Sequence, residues 1–270
     1  MVVDTHVHVV GDEARYPLHP AGVGSNWFRE MPVDVRRYST LMDEAGVDRA
    51  VLVQAMGAYG FDNDYVLDAA ATDPSRFKSV VIVDVAGDPD AAAAKLRTLA
   101  TGRGADGVRL FALGDDWIGA PEAEVIWRTA ADLGLFVVAT LLSPQLPSLD
   151  RALARFPNMR VALDHCGFPD TRGGPSYPGA ESLFALADHA NLHLKVSCHI
   201  LGTIDEPAEF VDRLAAVFGA GRLMWGSDFP QTHDRPYADL VDLGRRSCAG
   251  LTTRDQDAFL GGTAARLTPW

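Results

Sequence analysis

Residues 2–9 read "VVDTHVHV", a short β-branched run interrupted by two imidazoles one position apart. Such a run favours a β-strand, on which alternate side chains share a face, so His6 and His8 project together with Asp4 below them on the same side. Seven further apolar runs follow: "AVLVQA" from Ala50, "SVVIVD" from Ser79, "DGVRLF" from Asp106, "LFVVAT" from Leu135, "RVALDHC" from Arg160, "LHLKVS" from Leu192 and "RLMWGSD" from Arg222. From the second run onward they begin roughly thirty residues apart, the size of a strand–helix unit with short connections.

The intervening segments carry helical spacing. "PEAEVIWRTAADLG" sets Val125, Trp127 and Leu133 among charged positions and stops at Gly134. "DNDYVLDAAATD" offers Asp62 as an N-cap, "DPDAAAAKLRTLATG" has Pro89 at its start and Gly102 after its end, and "DEPAEFVDRLAAVFG" begins with Asp205 or Glu206 before Pro207. Eight nearly all-apolar strands, each followed by a helix, predict a closed parallel (β/α)8 TIM barrel in one domain over residues 1–270. An open doubly wound sheet is the alternative, but no G-x-G-x-x-G follows the first strand. The stretch from Gly11 to Asp34 holds Pro17, Pro20, Gly22, Gly24 and Pro32 with Trp27 and Phe28. It reads as a long loop after strand 1 and a candidate lid.

The chain has 270 residues, 47% hydrophobic and 22% charged, which provides ample material for a core. Its 24 Lys and Arg against 36 Asp and Glu give a formal charge of −12, which repels nucleic acid and anionic lipid surfaces. An anionic small molecule would need a local arginine working against that field. No apolar run of about eighteen residues and no basic leader is evident, so a cytoplasmic protein without a membrane partner is expected. The three scattered cysteines, Cys166, Cys198 and Cys248, suggest reduced thiols. A homo-oligomer is compatible with the sequence, which carries no signature of a symmetric interface.

In such a barrel the active site lies at the C-terminal strand ends. Strand 1 ends with His6 and His8, strand 4 carries Arg109, and strand 6 ends in Asp164, His165 and Cys166. Strand 7 ends with Lys195, Ser197 and His199, and strand 8 with Asp228. Gly226 and Asp228 share one face there, while Trp225 and Ser227 face the helices. Alternation lets only one of Asp164 and His165 face inward; His165, the nearer to the glycine that ends the strand, is the favoured one. Arg109 either neutralises a barrel carboxylate or binds an anionic substrate. Cys166 and Cys198 read as small core residues. His19, His189 and His193 fall in loop or helix positions exposed to solvent, and His233 and Arg235 either reach a pocket or lie on the surface.

These residues form an ordered set. "DTHVHV", "MDEAGVDRAVLVQ", "GVRLF", "LDHCGFPD", "LKVSC" and "WGSDFP" span nearly the whole chain and resemble the amidohydrolase superfamily. More narrowly, the set is similar to the branch that includes 2-pyrone-4,6-dicarboxylate lactonase and related sugar-acid lactonases. The resemblance implies that His6 and His8 match the strand 1 pair, His165 the strand 6 histidine, Asp228 the carboxylate that handles the hydrolytic water, and Arg109 an arginine holding a substrate carboxylate. One departure stands out: members with a full metal site also bring a histidine from strand 5, and many binuclear ones a lysine or glutamate from strand 4. Here those positions hold Thr140 and Arg109.

His6, His8 and Asp228 could still hold one divalent metal such as Zn²⁺, since catalytic zinc commonly has three protein ligands. The spacing permits a metal without demanding one. Without it Asp228 acts as a general base on neutral water, which suits an activated lactone better than an amide. The expected function is therefore hydrolysis of a small carboxylate-bearing lactone. Asp228, His6, His8 and His165 are its catalytic residues, and Arg109, His199 and Arg172 contact the substrate. A metal-dependent decarboxylase of a muconate-like or aromatic acid is one rival, and a non-catalytic barrel that binds a small anion is another.

Overall fold

Eight parallel strands pair in chain order: β1 (Val3–Val7), β2 (Arg49–Val53), β3 (Phe77–Ile82), β4 (Gly107–Phe111), β5 (Phe136–Thr140), β6 (Val161–Leu163), β7 (Leu192–Ser197) and β8 (Leu223–Gly226). The computed structural model describes residues 1–20, 26–268 and 270. The sheet closes where Val7 bridges Phe229, the His8 amide donates to the Phe229 carbonyl and the Asp228 amide donates to the His6 carbonyl, both at 2.8 Å. The result is the predicted TIM barrel. Gly226 permits this closure, because a Cβ there would come within 3.0 Å of the His6 backbone nitrogen and Cβ.

Each strand is followed by a helix: α1 (Val35–Ala45), α2 (Asp64–Ala71), α3 (Pro89–Arg103), α4 (Glu124–Asp132), α5 (Leu146–Arg155), α6 (Glu181–Phe184), α7 (Pro207–Phe218) and α8 (Tyr237–Ser247). The Asp34 carboxylate caps α1 by accepting from the Arg37 amide, and Asp88 caps α3 by accepting from Asp90 and Ala91. Helix α3 runs through Gly102 and stops at Gly104, whose φ of 72° makes the left-handed turn. The stop therefore lies two residues later than the sequence suggests. Alternate strand residues divide the core. Val3, Val51, Val53, Val80, Phe136 and Val138 fill the barrel interior, while Leu52, Val81, Val137, Leu163, Leu194 and Trp225 pack against the helices. Residues 21–25 of the candidate lid lie outside the described residues; the part from Trp27 to Glu30 forms a helical turn with Trp27 and Phe28 buried. No helix among the described residues is long and apolar enough to cross a membrane.

Strict alternation fails in β1. Asp4 pairs with Ala50 but Val7 with Leu52, so one extra residue is accommodated between them. This bulge puts Asp4 on the helix side while His6 and His8 face inward, which corrects the expectation that all three share a face. Fully buried Asp4 accepts hydrogen bonds from the Ser227 amide (2.8 Å), the Ser227 hydroxyl (2.6 Å), Tyr38 (3.0 Å) on α1 and Tyr237 (3.1 Å) on α8. Burial raises its pKa above the ordinary aspartate value, opposed by these hydrogen bonds. Asp4 thus ties the first strand to the loop after the last and to two helices. Asp4→Ala strands several buried donors and should lower the unfolding free energy in urea by about 3 kcal/mol or more; unchanged stability would show that the clamp is dispensable.

Candidate functional site

His6 and His8 leave β1 pointing into the barrel mouth, and each is oriented through Nδ1. His8 Nδ1–H donates to the Val53 carbonyl (2.8 Å) and His6 Nδ1–H to Asp164 Oδ1 (2.9 Å). Both Nε2 atoms are thereby left as lone-pair acceptors, and they stand 3.3 Å apart. Asp228, just past β8 with φ 58°, places Oδ1 3.5 Å from each of them. That oxygen is buried without a hydrogen-bond partner. Three acceptors converge with no donor between them, an arrangement that a cation satisfies. The ligand atoms of His6, His165 and Asp228 also lie within 4.8 Å of one another.

Strand β6 delivers two site residues rather than one. Asp164 continues the inward parity of Ala162, and His165, which alternation alone would send outward, is swung in by a left-handed backbone (φ 52°). Both side chains therefore face the barrel mouth, where alternation admits only one, and Asp164 is the buried candidate that alternation leaves out. Its Oδ2 accepts from the Thr140 hydroxyl (2.6 Å) and Arg109 Nε (3.0 Å), and its Oδ1 from His6 and Lys195 Nζ (3.1 Å). Left-handed non-glycine residues cost about 1–3 kcal/mol each and tend to concentrate at functional sites; His165 and Asp228 both adopt this backbone at the barrel mouth. The run "DHCG" at the strand end is the available signal, but dihedral strain is not written in alternation.

The remaining candidates divide. Arg109 neutralises a barrel carboxylate, its Nε donating to Asp164 and Thr140, and it also lines a cavity of about 300 Å³ with His8, Trp27, Phe111, His165 and Phe168. His199, partly exposed, sets Nδ1 3.6 Å from Asp228 Oδ2. Arg172 is not brought to the cavity; its side chain is 90% exposed and pairs with Asp170 at 2.6 Å. His193 sits on β7, half-buried, rather than in a loop or helix, whereas His189 pairs with Asp150 at the surface end of a turn. His233 pairs with Glu30 and Arg235 with Asp234. Cys166 and Cys198 are buried, and burial pushes both thiols well above their ordinary value, in keeping with core residues.

The model of the family described as amidohydrolase matches residues 3–270. The chain belongs to the amidohydrolase family. It is 29% identical over 239 residues to the L-fucono-1,5-lactonase of Burkholderia ambifaria, which covers 84% of this chain and 80% of that protein. A solved Pseudomonas putida structure assigned as 2-pyrone-4,6-dicarboxylic acid hydrolase superposes with a TM-score of 0.80 at 28% identity, over 98% of this chain and 96% of the other. An amidohydrolase of Burkholderia multivorans solved with bound zinc shares the fold, with a TM-score of 0.76 at 21% identity over 99% and 98% of the two chains.

Charge in this amidohydrolase is arranged around the two carboxylates. Burial would raise the Asp164 carboxyl, but His6, Lys195 and Arg109 hold it well below the ordinary value. Burial opposes ionisation of Asp228 too, and the imidazoles, His165 first, hold it low. Burial lowers His6 well below 6.5 and His165 to about 4, so both rings are neutral at physiological pH. Between pH 6.5 and about 4 the unfolded chain protonates this histidine while folded His165 does not, so the unfolded state binds more protons there and stability falls as pH falls. The contribution is present above pH 6.5 and amounts to at most roughly 3 kcal/mol. His165→Asn, which tolerates the left-handed backbone, should flatten this loss when urea denaturation of chelated protein is followed from about pH 7 to 4.5; an unchanged slope would contradict the burial of a neutral His165.

Proposed function

We propose that this amidohydrolase opens a small carboxylate-bearing lactone at a single divalent metal, zinc, held by His6 Nε2, His8 Nε2 and Asp228 Oδ1. The observation that carries the reading is the unpartnered Asp228 Oδ1 facing two imidazole lone pairs, each fixed by an Nδ1 hydrogen bond of the kind that orients metal-binding histidines. Zn²⁺ in such a site supplies Lewis-acid polarisation and a nucleophile at neutral pH. The lactone-hydrolase names carried by the Burkholderia ambifaria and Pseudomonas putida relatives support the substrate class. Three cysteines outside any disulfide support a cytoplasmic setting.

The chain's own residues then act in sequence. Arg109, whose Nε is committed to Asp164, presents its outer guanidinium nitrogens to the substrate carboxylate and fixes the ring in the cavity. Asp228 accepts a proton from water as the water oxygen bonds to the lactone carbonyl carbon. The Ser197 hydroxyl, 2.7 Å from His165 Nδ1, can donate to it, which leaves Nε2–H free to hydrogen-bond oxygen as negative charge develops. The ring C–O bond breaks, and Asp228 returns the proton to the departing oxygen.

Asp228→Asn, which keeps the left-handed backbone accessible, should lower kcat for lactone opening by about 10²-fold or more with the melting temperature maintained; retained turnover, or carbon dioxide release from aromatic acids in place of lactone opening, would overturn the assignment. Chelation should abolish turnover and added zinc restore it. Asp164→Asn, which disturbs His6 and Arg109 together, should cost about 10–100-fold in zinc affinity by titration calorimetry, and unchanged affinity would remove Asp164 from the orienting role.

A further inference from the structure

The lining of the cavity constrains which lactone fits. At about 300 Å³ it lies at the small end of ligand sites, enough for one ring with short substituents. Its walls are aromatic. The Trp27 ring lies 5.4 Å from His8, tilted 30° to it, the Phe168 ring 4.8 Å from His165, and Phe111 sits beneath the Arg109 guanidinium at 5.0 Å. Met56 and Leu113 complete the apolar surface. Of the polar lining groups, His8 and His165 belong to the reaction centre and the Thr140 hydroxyl is committed to Asp164. Recognition away from the reacting carbonyl is left to Arg109 and to Gln231 at the exposed rim. A polyhydroxylated ring would press its hydroxyls against these walls, and each one buried without a partner costs about tenfold in binding.

Charge narrows the class further. Arg109 is the one cation among the described lining residues. Lys195 is buried on Asp164 behind His6. The basic residues of the loops after β6 and β8 are matched: Arg172 with Asp170, Arg235 with Asp234 and His233 with Glu30. Residues 21–25, Ala-Gly-Val-Gly-Ser, carry no basic side chain. Among the described residues that line the cavity, a second substrate carboxylate would find no cation besides Arg109, in a chain of net charge −12.

We infer that this lactonase, on the reading of the site given above, selects a flat, unsaturated lactone with a single carboxylate and discriminates against both dicarboxylate and polyhydroxylated lactones. The zinc-supplied protein, assayed on 2-pyrone-6-carboxylate, 2-pyrone-4,6-dicarboxylate, unsubstituted 2-pyrone and L-fucono-1,5-lactone, should give kcat/KM for the monocarboxylate at least about tenfold above each of the others. Leu113→Arg, which adds a cation at the cavity edge, should raise kcat/KM for the dicarboxylate about tenfold relative to the monocarboxylate. If the dicarboxylate or the sugar lactone matches the monocarboxylate in the parent protein, the selectivity is wrong while lactone hydrolysis stands. If no lactone opens, the hydrolytic reading falls and the selectivity falls with it.

Discussion

Asp164 is the residue on which the site depends. Its two oxygens gather His6 from β1, Arg109 from β4, Thr140 from β5 and Lys195 from β7, so a single fully buried carboxylate ties four strands together at the barrel mouth. A lone buried carboxylate would be costly; here two cations and a hydroxyl offset its desolvation, and the arrangement fixes geometry more than it adds stability. Its effect reaches the chemistry through His6. By accepting a hydrogen bond from Nδ1–H, Asp164 fixes the tautomer that leaves Nε2 an acceptor and aims it at Asp228, while the Val53 carbonyl does the same for His8. The same carboxylate holds Arg109 by Nε and leaves its outer edge to the cavity. One anion therefore orients both the proposed reaction centre and the arginine proposed to hold the substrate.

A second buried carboxylate does different work on the helix side of β1. Asp4, on the other side of the β1 bulge, is surrounded by neutral donors from Ser227, Tyr38 and Tyr237, and its pKa is raised. Asp164, surrounded by cations, is held low. The contrast shows how burial alone does not decide ionisation; the sign of the partners does. Asp4 locks the seam between the first and last strands, and that seam sets the spacing of His6 and His8 against Asp228.

Much of this was legible in the chain. The thirty-residue rhythm of apolar runs follows from strands buried on both faces, and it identified all eight strands and the barrel. Alternation with period two placed His6 and His8 on one face, and Gly226 and Asp228 on a face opposite Trp225 and Ser227. What escaped were departures from that period. The bulge that turns Asp4 outward and the left-handed turn that brings His165 in beside Asp164 depend on pairing with β2 and on backbone angles that no residue pattern specifies. Arg172 escaped for another reason: its neighbour Asp170 satisfies it locally, and a loop sequence does not reveal such a pairing in advance.

The central claim is that three bare acceptors, His6 Nε2, His8 Nε2 and Asp228 Oδ1, face one another because their other atoms are already committed. Crystals grown with Zn²⁺ and measured on either side of the zinc absorption edge test it most directly. The account predicts a single anomalous peak bonded to all three atoms, with Asp164 still on His6 Nδ1. An absence of zinc at that position, with Asp228 turned onto a protein donor, would contradict it.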